Sequence, residues 1–318
     1  MRAASAALGA GVLCLAPGRY EGRFELVVAG QTWRLVADSV LAGSIQIRGR
    51  GAAIEGGAIE LAPGGPWAAG VTVDADNVRL EDIHFKGGGL VISVVGRDRV
   101  RILGNDFAGQ SGAAIFLWGE GGGSDDALIE GNHIVQTLTS KVSPIGSRGN
   151  EATTHGGVQN SRAIIRNNTI DQGGGDLGWF GIELKQSAGA LIEGNTVRGG
   201  QVMVSLPESD RATVRGNTLD LSGSGYWGVE VPNANDVLIE GNTIIGSGPN
   251  SRDAAVALNS GSLRTTVRGN NVRDVRTLFA VSGDGHIVTD NCLTNVAHEF
   301  EYRNDGGPNI TFARNGAC

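Results

Sequence analysis

Apolar and polar residues alternate along most of this chain in short runs, each closed by Gly, Asn or Asp. One run recurs with an Asn at a fixed place. It reads VRILGNDF at 100–107, ALIEGNHI at 127–134, AIIRNNTI at 163–170 and ALIEGNTV at 190–197. It continues as ATVRGNTL at 212–219, VLIEGNTI at 237–244, TTVRGNNV at 265–272 and HIVTDNCL at 286–293, and ITFARNGA closes the chain at 310–317. The fixed residues are Asn105, Asn132, Asn168, Asn195, Asn217, Asn242, Asn270, Asn291 and Asn315, spaced 21 to 36 apart. Period-2 alternation with β-branched residues predicts strands, and the Asn beside a Gly or another turn former predicts a sharp bend. A strand pair cannot bury its apolar face alone, but stacked coils build a continuous core.

In ALIEGNTV, 190–193 and 196–197 read as two strands joined at Gly194-Asn195. A third strand follows a loop of variable length: AAIFLW (113–118), GVQN (157–160), GIELK (181–185), VMVS (202–205), GVEV (228–231), AVALN (255–259) and FAVS (279–282). Before residue 78 the repeat is degenerate, yet IQIRG (45–49), AAIEGG (52–57) and VTVDADNVRLEDI (71–83) keep the strand rhythm. With no linker and no composition shift, residues 1–318 read as a single domain. Stacked Asn side chains are expected to hydrogen-bond from coil to coil. Propeller blades need longer periods, and the Leu lattice of a leucine-rich repeat is missing.

Composition agrees with a turn-rich β fold: 52 Gly, 8 Pro and 40% apolar residues, with 19% charged. A net charge of −7 argues against nucleic acid and anionic membranes as partners. No apolar stretch reaches spanning length. Residues 3–16 can be read as a signal peptide, but Gly9 and Gly11 interrupt the run and it leads straight into Pro17. The preferred reading is a short helical cap over 2–9 and a first strand at 12–15, a secretion signal having been trimmed. Of three cysteines, Cys292 and Cys318 end neighbouring repeats and are expected to pair, which suits a secreted or periplasmic protein. Cys14, in an apolar run, reads as core.

The IEGNTI phrase, the GVLCLAPGRYEG opening and the Cys-terminated last coil resemble the pectin-lyase-like right-handed parallel β-helix superfamily. The resemblance implies an all-β solenoid over nearly the whole chain. It implies little about activity, because the superfamily hosts lyases, hydrolases, epimerases, fructotransferases and tailspikes. It also implies a substrate cleft over the third face, walled by loops.

Alternation in GIELK points Ile182 and Leu184 inward, Glu183 and Lys185 outward. By the same rule Gln159, Met203, Glu230 and Ala257 share the column of Glu183, and Trp118, Lys185, Ser205 and Asn259 lie near the next. Gly178-Trp179-Phe180-Gly181-Ile182-Glu183 is echoed by Gly225-Tyr226-Trp227-Gly228-Val229-Glu230, two coils on. Aromatic faces beside carboxylates suit a sugar, whose apolar face stacks on a ring. The longest insertion, between Asn132 and Asn168, brings Lys141, Arg148, Glu151 and His155. Asp171 and Asp176 precede the Glu183 strand. His84 and His133, in repeat strands, read as structural. No Cys/His cluster marks zinc.

These residues define the expectation. Catalysis falls to Glu183, Glu230, Lys185, Asp171, Asp176 and His155. Substrate contacts fall to Trp118, Arg148, Gln159, Trp179, Phe180, Tyr226, Trp227 and Asn259. The first reading is a glycoside hydrolase, or a sugar-transferring relative such as a fructotransferase, acting on a polysaccharide or oligosaccharide through paired carboxylates and needing no cofactor. Two coils separate Glu183 from Glu230 by about 9–10 Å, near the spacing of inverting enzymes. The second is a polysaccharide lyase with Lys185 and Arg148, with Ca²⁺ available to neutralise a uronate; Ser205 stands where that family would place an Arg. The third is a non-catalytic sugar-binding or structural β-helix, in which Glu183 and Lys185 merely form surface ion pairs. A homo-oligomer is left open.

Overall fold

The structure, a computed structural model, describes residues 9–120, 122–136, 142–149, 160–173, 180–223, 225–259, 261–306 and 309–317. It is an all-β right-handed parallel solenoid of about 11 turns, and no helix occurs among the described residues. The cap expected over 2–9 falls on residues 1–8, outside the described residues, and Gly9 is not helical. The first expected strand is present as Val12–Leu15. The chain divides into two compact units, residues 1–164 and 165–318, each built from its own coils.

A coil gives one strand to each of three faces. In the second unit one coil runs Leu191–Glu193, Thr196–Arg198, Val202–Ser205. Its neighbour runs Thr213–Arg215, Thr218–Asp220, Trp227–Pro232, and each strand pairs in parallel with its counterpart. Alternation explains the faces: Ile192 and Val197 are fully buried, while Glu193 and Thr196 point outward. Between the first two faces the chain must turn within two residues. Gly104, Gly131, Gly194, Gly216, Gly241 and Gly269 meet that demand with φ between 61° and 67°. This is left-handed backbone that glycine adopts without a Cβ penalty.

The Asn after each of these glycines is buried, at 2% exposure or less. In the second unit Oδ1 of Asn217 accepts from both the backbone N–H and the side-chain amide of Asn195, at 2.9 and 3.0 Å. Asn242, Asn270, Asn291 and Asn315 repeat the arrangement. The first unit has Asn105 on Asn132 in the same way. Each amide thus satisfies a bend's N–H that the solenoid has removed from water.

Before residue 78 the coils persist although the phrase does not. Gly56-Gly57 takes the place of Gly-Asn, and a Cβ on Gly57 would lie 2.5 Å from that of Leu35. Leu26, Trp33, Leu41, Ile54 and Ile59 fill that part of the core.

The third face carries the candidate site. In the first unit its strands are Phe24–Leu26, Ile45–Ile47, Ala69–Val73, Leu90–Val95, Ile115–Trp118 and Ile145–Arg148. The last corrects the expectation of a third-face strand at 157–160. Ile145–Arg148 pairs with Ile115–Trp118, burying Ile145 and Ser147. Residues 157–159 lie outside the described residues, and Asn160–Ser161 is a separate short strand. Pro-Ile-Gly-Ser-Arg has one β-branched residue, so its strand is set by the ladder beside it rather than by local propensity. In the second unit the face comprises Phe180–Lys185, Val202–Ser205, Trp227–Pro232, Ala254–Asn259, Thr277–Gly283 and His298–Gly306.

Candidate functional site

On the third face of the second unit, Ile182 and Leu184 are fully buried, and Glu183 and Lys185 stand outward, half-buried. Backbone register defines what shares the Glu183 column: Glu183 pairs with Ser205, Ser205 with Glu230, Glu230 with Ala257 and Ala257 with Ala280. Glu183 and Glu230 are therefore two strands apart in one column, about 9–10 Å between backbones. Ser205, expected one column over, lies directly between them. Met203, expected in the column, is fully buried. The VMVS strand has apolar residues on both sides of its alternation, so its phase could not be read from polarity.

Glu230 is the more enclosed carboxylate, with 8% of its surface exposed. Ser205 Oγ donates to its Oε2 at 2.8 Å, and Asn259 Nδ2 donates to its Oε1 at 2.5 Å. Donors on the strands before and after thus hold both oxygens, so the carboxylate has one orientation. A buried carboxylate is tolerated only with such partners. Asn259, expected to touch substrate, is bound to Glu230. The column continues from Ala280 to Glu301, which accepts from Thr277 Oγ1 at 3.1 Å. Sequence reading missed Glu301, although Phe-Glu-Tyr at 300–302 alternates as the other third-face strands do.

The aromatic echo is real in space. Phe180 pairs with Val202 and Val202 with Trp227, so the two rings' residues share a column two strands apart. Phe180 and Trp227 are half-buried, and Tyr226 is 40% exposed. Asp171 is not part of this face. It ends the second-face strand Thr169–Asp171, where Arg198 donates to it at 2.5 Å. That hydrogen bond holds the Arg198 guanidinium above its usual range. Trp179, Asp176, His155 and Gln159 lie outside the described residues.

Trp118 and Arg148 belong to the first unit, where they are register partners on the third face. Trp118 Nε1 donates to Ser93 Oγ at 3.1 Å. Its ring lies 4.4 Å from Phe116 and 5.7 Å from Trp67. His84 and His133, expected to be structural, project from the second face with Asp106 between them, Nδ1 to carboxylate at 2.9 and 3.4 Å. Cys14, expected in the core, is exposed and free, because its strand turns Leu15 inward instead. Cys318 lies outside the described residues, and so does its expected bridge to Cys292. Among the described residues no cluster of three or more His, Cys, Asp or Glu is gathered to hold a metal ion, and no helix is long and apolar enough to cross a membrane.

Three parallel faces and a buried Asn ladder define a right-handed parallel β-helix. The chain belongs to the right handed beta helix region family, whose model matches residues 69–220 and 156–316. No curated protein matches its sequence. Among solved structures it is similar to PfbA, a surface adhesin of Streptococcus pneumoniae, at 13% identity and a TM-score of 0.66, covering 98% of this chain and 87% of that one. It is similar to the A-module of the Azotobacter vinelandii mannuronan C-5 epimerase AlgE4, at 15% identity, TM-score 0.66, covering 98% and 92%. It is also similar to DFA-IIIase from Arthrobacter chlorophenolicus A6, in complex with GF2 and without its lid, at 16% identity, TM-score 0.60, covering 90% and 83%. At these identities the likeness establishes the fold.

Proposed function

We propose that this protein is an extracellular carbohydrate-acting enzyme of the glycoside hydrolase or sugar-transferring type. The observation that carries the reading is Glu230, a nearly buried carboxylate fixed by Ser205 and Asn259 and facing outward two strands from Glu183. A solenoid needs no enclosed carboxylate on its outer face for stability, since burying one costs free energy that its partners only offset. An oriented carboxylate is what a general base requires.

In this reading Glu230 takes a proton from water as the water oxygen bonds to the anomeric carbon. Glu183 gives a proton to the glycosidic oxygen as the bond from that carbon to the leaving sugar breaks. The column spacing of about 9–10 Å leaves room for sugar and water between the carboxyl groups. The Tyr226 ring, 40% exposed and on the same outward phase as Glu230, offers a stacking face beside the column. Phe180 and Trp227 instead share the inward phase of Ile182 and Val229. Among the similar structures, a mannuronan C-5 epimerase and a DFA-IIIase are enzymes, which agrees with catalysis on this fold, whereas PfbA is an adhesin.

The test is product analysis on a panel of neutral and uronic polysaccharides. New reducing ends or transferred sugars support the proposal, and unsaturated products absorbing in the ultraviolet replace it with a lyase based on Lys185. Glu230→Gln and Glu183→Gln are each expected to lower turnover by about 10²–10⁴-fold. An aryl glycoside with a good leaving group should restore much of the rate to Glu183→Gln and none to Glu230→Gln. Full activity in both variants excludes the carboxylate mechanism.

A further inference from the structure

We infer that the second unit pairs with a second copy of this chain through its first face, with the coil order reversed, about a two-fold axis between Arg215 and Glu240. The contact is independent of the carbohydrate reading and uses none of the residues assigned to catalysis.

The first face of the second unit carries a repeat twice as long as the coil. Its strands read Leu191-Ile192-Glu193, Thr213-Val214-Arg215, Leu238-Ile239-Glu240 and Thr266-Val267-Arg268. Ile192, Val214, Ile239 and Val267 are fully buried, so the residues on either side of each point outward. Register joins these into two columns, one alternating Glu with Arg and the other alternating Leu with Thr. The charged column ends on neutral Thr289. The first unit has no such order on this face, where Glu55 stands beside Glu81 and the column then breaks at Leu103.

Within the chain these charges pair in twos. Arg215 Nε donates to Glu193 Oε1 at 2.7 Å, and Arg268 Nη2 donates to Glu240 Oε2 at 2.8 Å. The arginine side chains remain 46% and 55% exposed, and exposed pairs of this kind add little to the stability of a fold. Beside them, a Cβ on Gly216, Gly241 or Gly269 would meet no atom. The bare bends leave an open furrow of about 600 Å³ along the charged column. Long side chains from an opposing surface have room to lie there.

An alternating column is its own complement when reversed. A two-fold axis parallel to the strands sets Arg215 against the partner's Glu240 and Glu193 against the partner's Arg268, and symmetry makes each pair occur twice. The same rotation lays Leu191 over the partner's Thr266 and Leu238 over the partner's Thr213, so large side chains meet small ones. A slip of one coil would set Glu on Glu and Arg on Arg, a repulsion that selects the register. From Leu191–Glu193 to Thr311–Ala313 the face has six strands, about 24 Å at about 4.8 Å per step. A patch of this size belongs with the smaller interfaces, so the dimer is reversible and salt-sensitive. It covers no part of the third face, and both candidate sites stay open.

The experiment is sedimentation velocity of the full chain from low to high micromolar concentration, in low and high salt. Reversible dimers are expected at about 0.01 M salt and at least about tenfold weaker ones at about 1 M, because the reach of the charges falls from about 30 to about 3 Å. Arg215→Glu and Glu240→Arg should each sediment as monomers, since either reversal puts two like pairs into the contact. An equimolar mixture of the two variants should dimerise again, because every facing pair between them is then opposite. Pairing within one chain cannot produce that rescue. Unchanged melting temperatures are the folding control. Should a reversal unfold the chain, Arg215→Gln takes its place and should weaken the dimer about tenfold. A parent chain that stays monomeric at low salt overturns the inference. So do single variants that dimerise as the parent does, or a mixture no more associated than its components.

Discussion

Asn259 donates its side-chain amide to Oε1 of Glu230 at 2.5 Å from the strand one coil further on. The contact makes Asn259 a positioning residue for that carboxylate. A hydrogen bond to a charged group contributes about 1.5–3 kcal/mol, so Asn259→Ala should cost roughly tenfold to a hundredfold in turnover. KM should change little, because the lost bond orients the base rather than the sugar. Asn259→Asp is the sharper variant. It sets one carboxylate against another, which raises the proton affinity of the pair, and the acid limb of kcat/KM should move to higher pH. An unmoved limb in Asn259→Asp would show that Glu230 does not act as the base.

The Asn ladder predicts a graded stability series. Asn217→Ala strips the buried N–H of Asn195 and the carbonyl of Ile192 of their partner. Each buried group left unsatisfied costs about 1–3 kcal/mol, so urea unfolding should show a loss of about 2–4 kcal/mol. Asn315 ends the ladder half-buried, where water can take over its bonds to Asn291 and Val288. Asn315→Ala should therefore cost clearly less. Equal losses at both positions would mean that the ladder is not what these residues contribute.

Most of the coil order was legible because the bend demands particular chemistry: a left-handed residue and then an amide. Gly194-Asn195 and its copies supply both. The site was legible only where polarity breaks the alternation, as in Gly-Ile-Glu-Leu-Lys. Val202-Met203-Val204-Ser205 has no such break, so the phase that sets Ser205 between two glutamates comes from hydrogen-bond register alone. Trp67 was silent for a different reason. It lies in a loop, and only the fold brings it over Phe116 and Trp118. The bonds of Ser205 and Asn259 to Glu230 join residues 25 and 29 positions away, a distance no local pattern encodes.

Cysteine chemistry gives a direct count. Cys14 is exposed and free. Gly316 pairs with Cys292, and Leu293 donates to the Gly316 carbonyl at 2.8 Å. This brings the chain to within two residues of Cys318 beside Cys292. We therefore expect a Cys292–Cys318 bridge in the oxidised protein. Thiol titration of the unreduced chain should find one reactive thiol when folded and still one when denatured. Three thiols on denaturation would exclude the bridge. Reduction should lower stability by about 2–4 kcal/mol, chiefly through the entropy of the unfolded chain.

His286 makes stability depend on pH. Its ring is fully buried, and its Nδ1 accepts the backbone N–H of Thr265 at 3.1 Å. A proton on Nδ1 would set one donor against another. Burial pushes its pKa below the ordinary 6.5, although the nearby Ser282 backbone and the charge of Asp284 pull the other way. Above pH 6.5 the ring is neutral in both folded and unfolded chains, and its contribution is complete. Below that, the unfolded chain binds the proton first, so stability falls as pH drops from 6.5 toward the folded-state pKa. The slope reaches at most about 1.4 kcal/mol per pH unit. The Asp284 carboxyl is itself held low by the Gly285 N–H and Asn309, so its own loss of stability comes at much lower pH. Melting temperatures from pH 7.5 to 5 should decline in the parent chain. In His286→Gln, which keeps an acceptor but cannot charge, the decline should flatten. Parallel curves for the two proteins would mean that protonation of another group sets the slope.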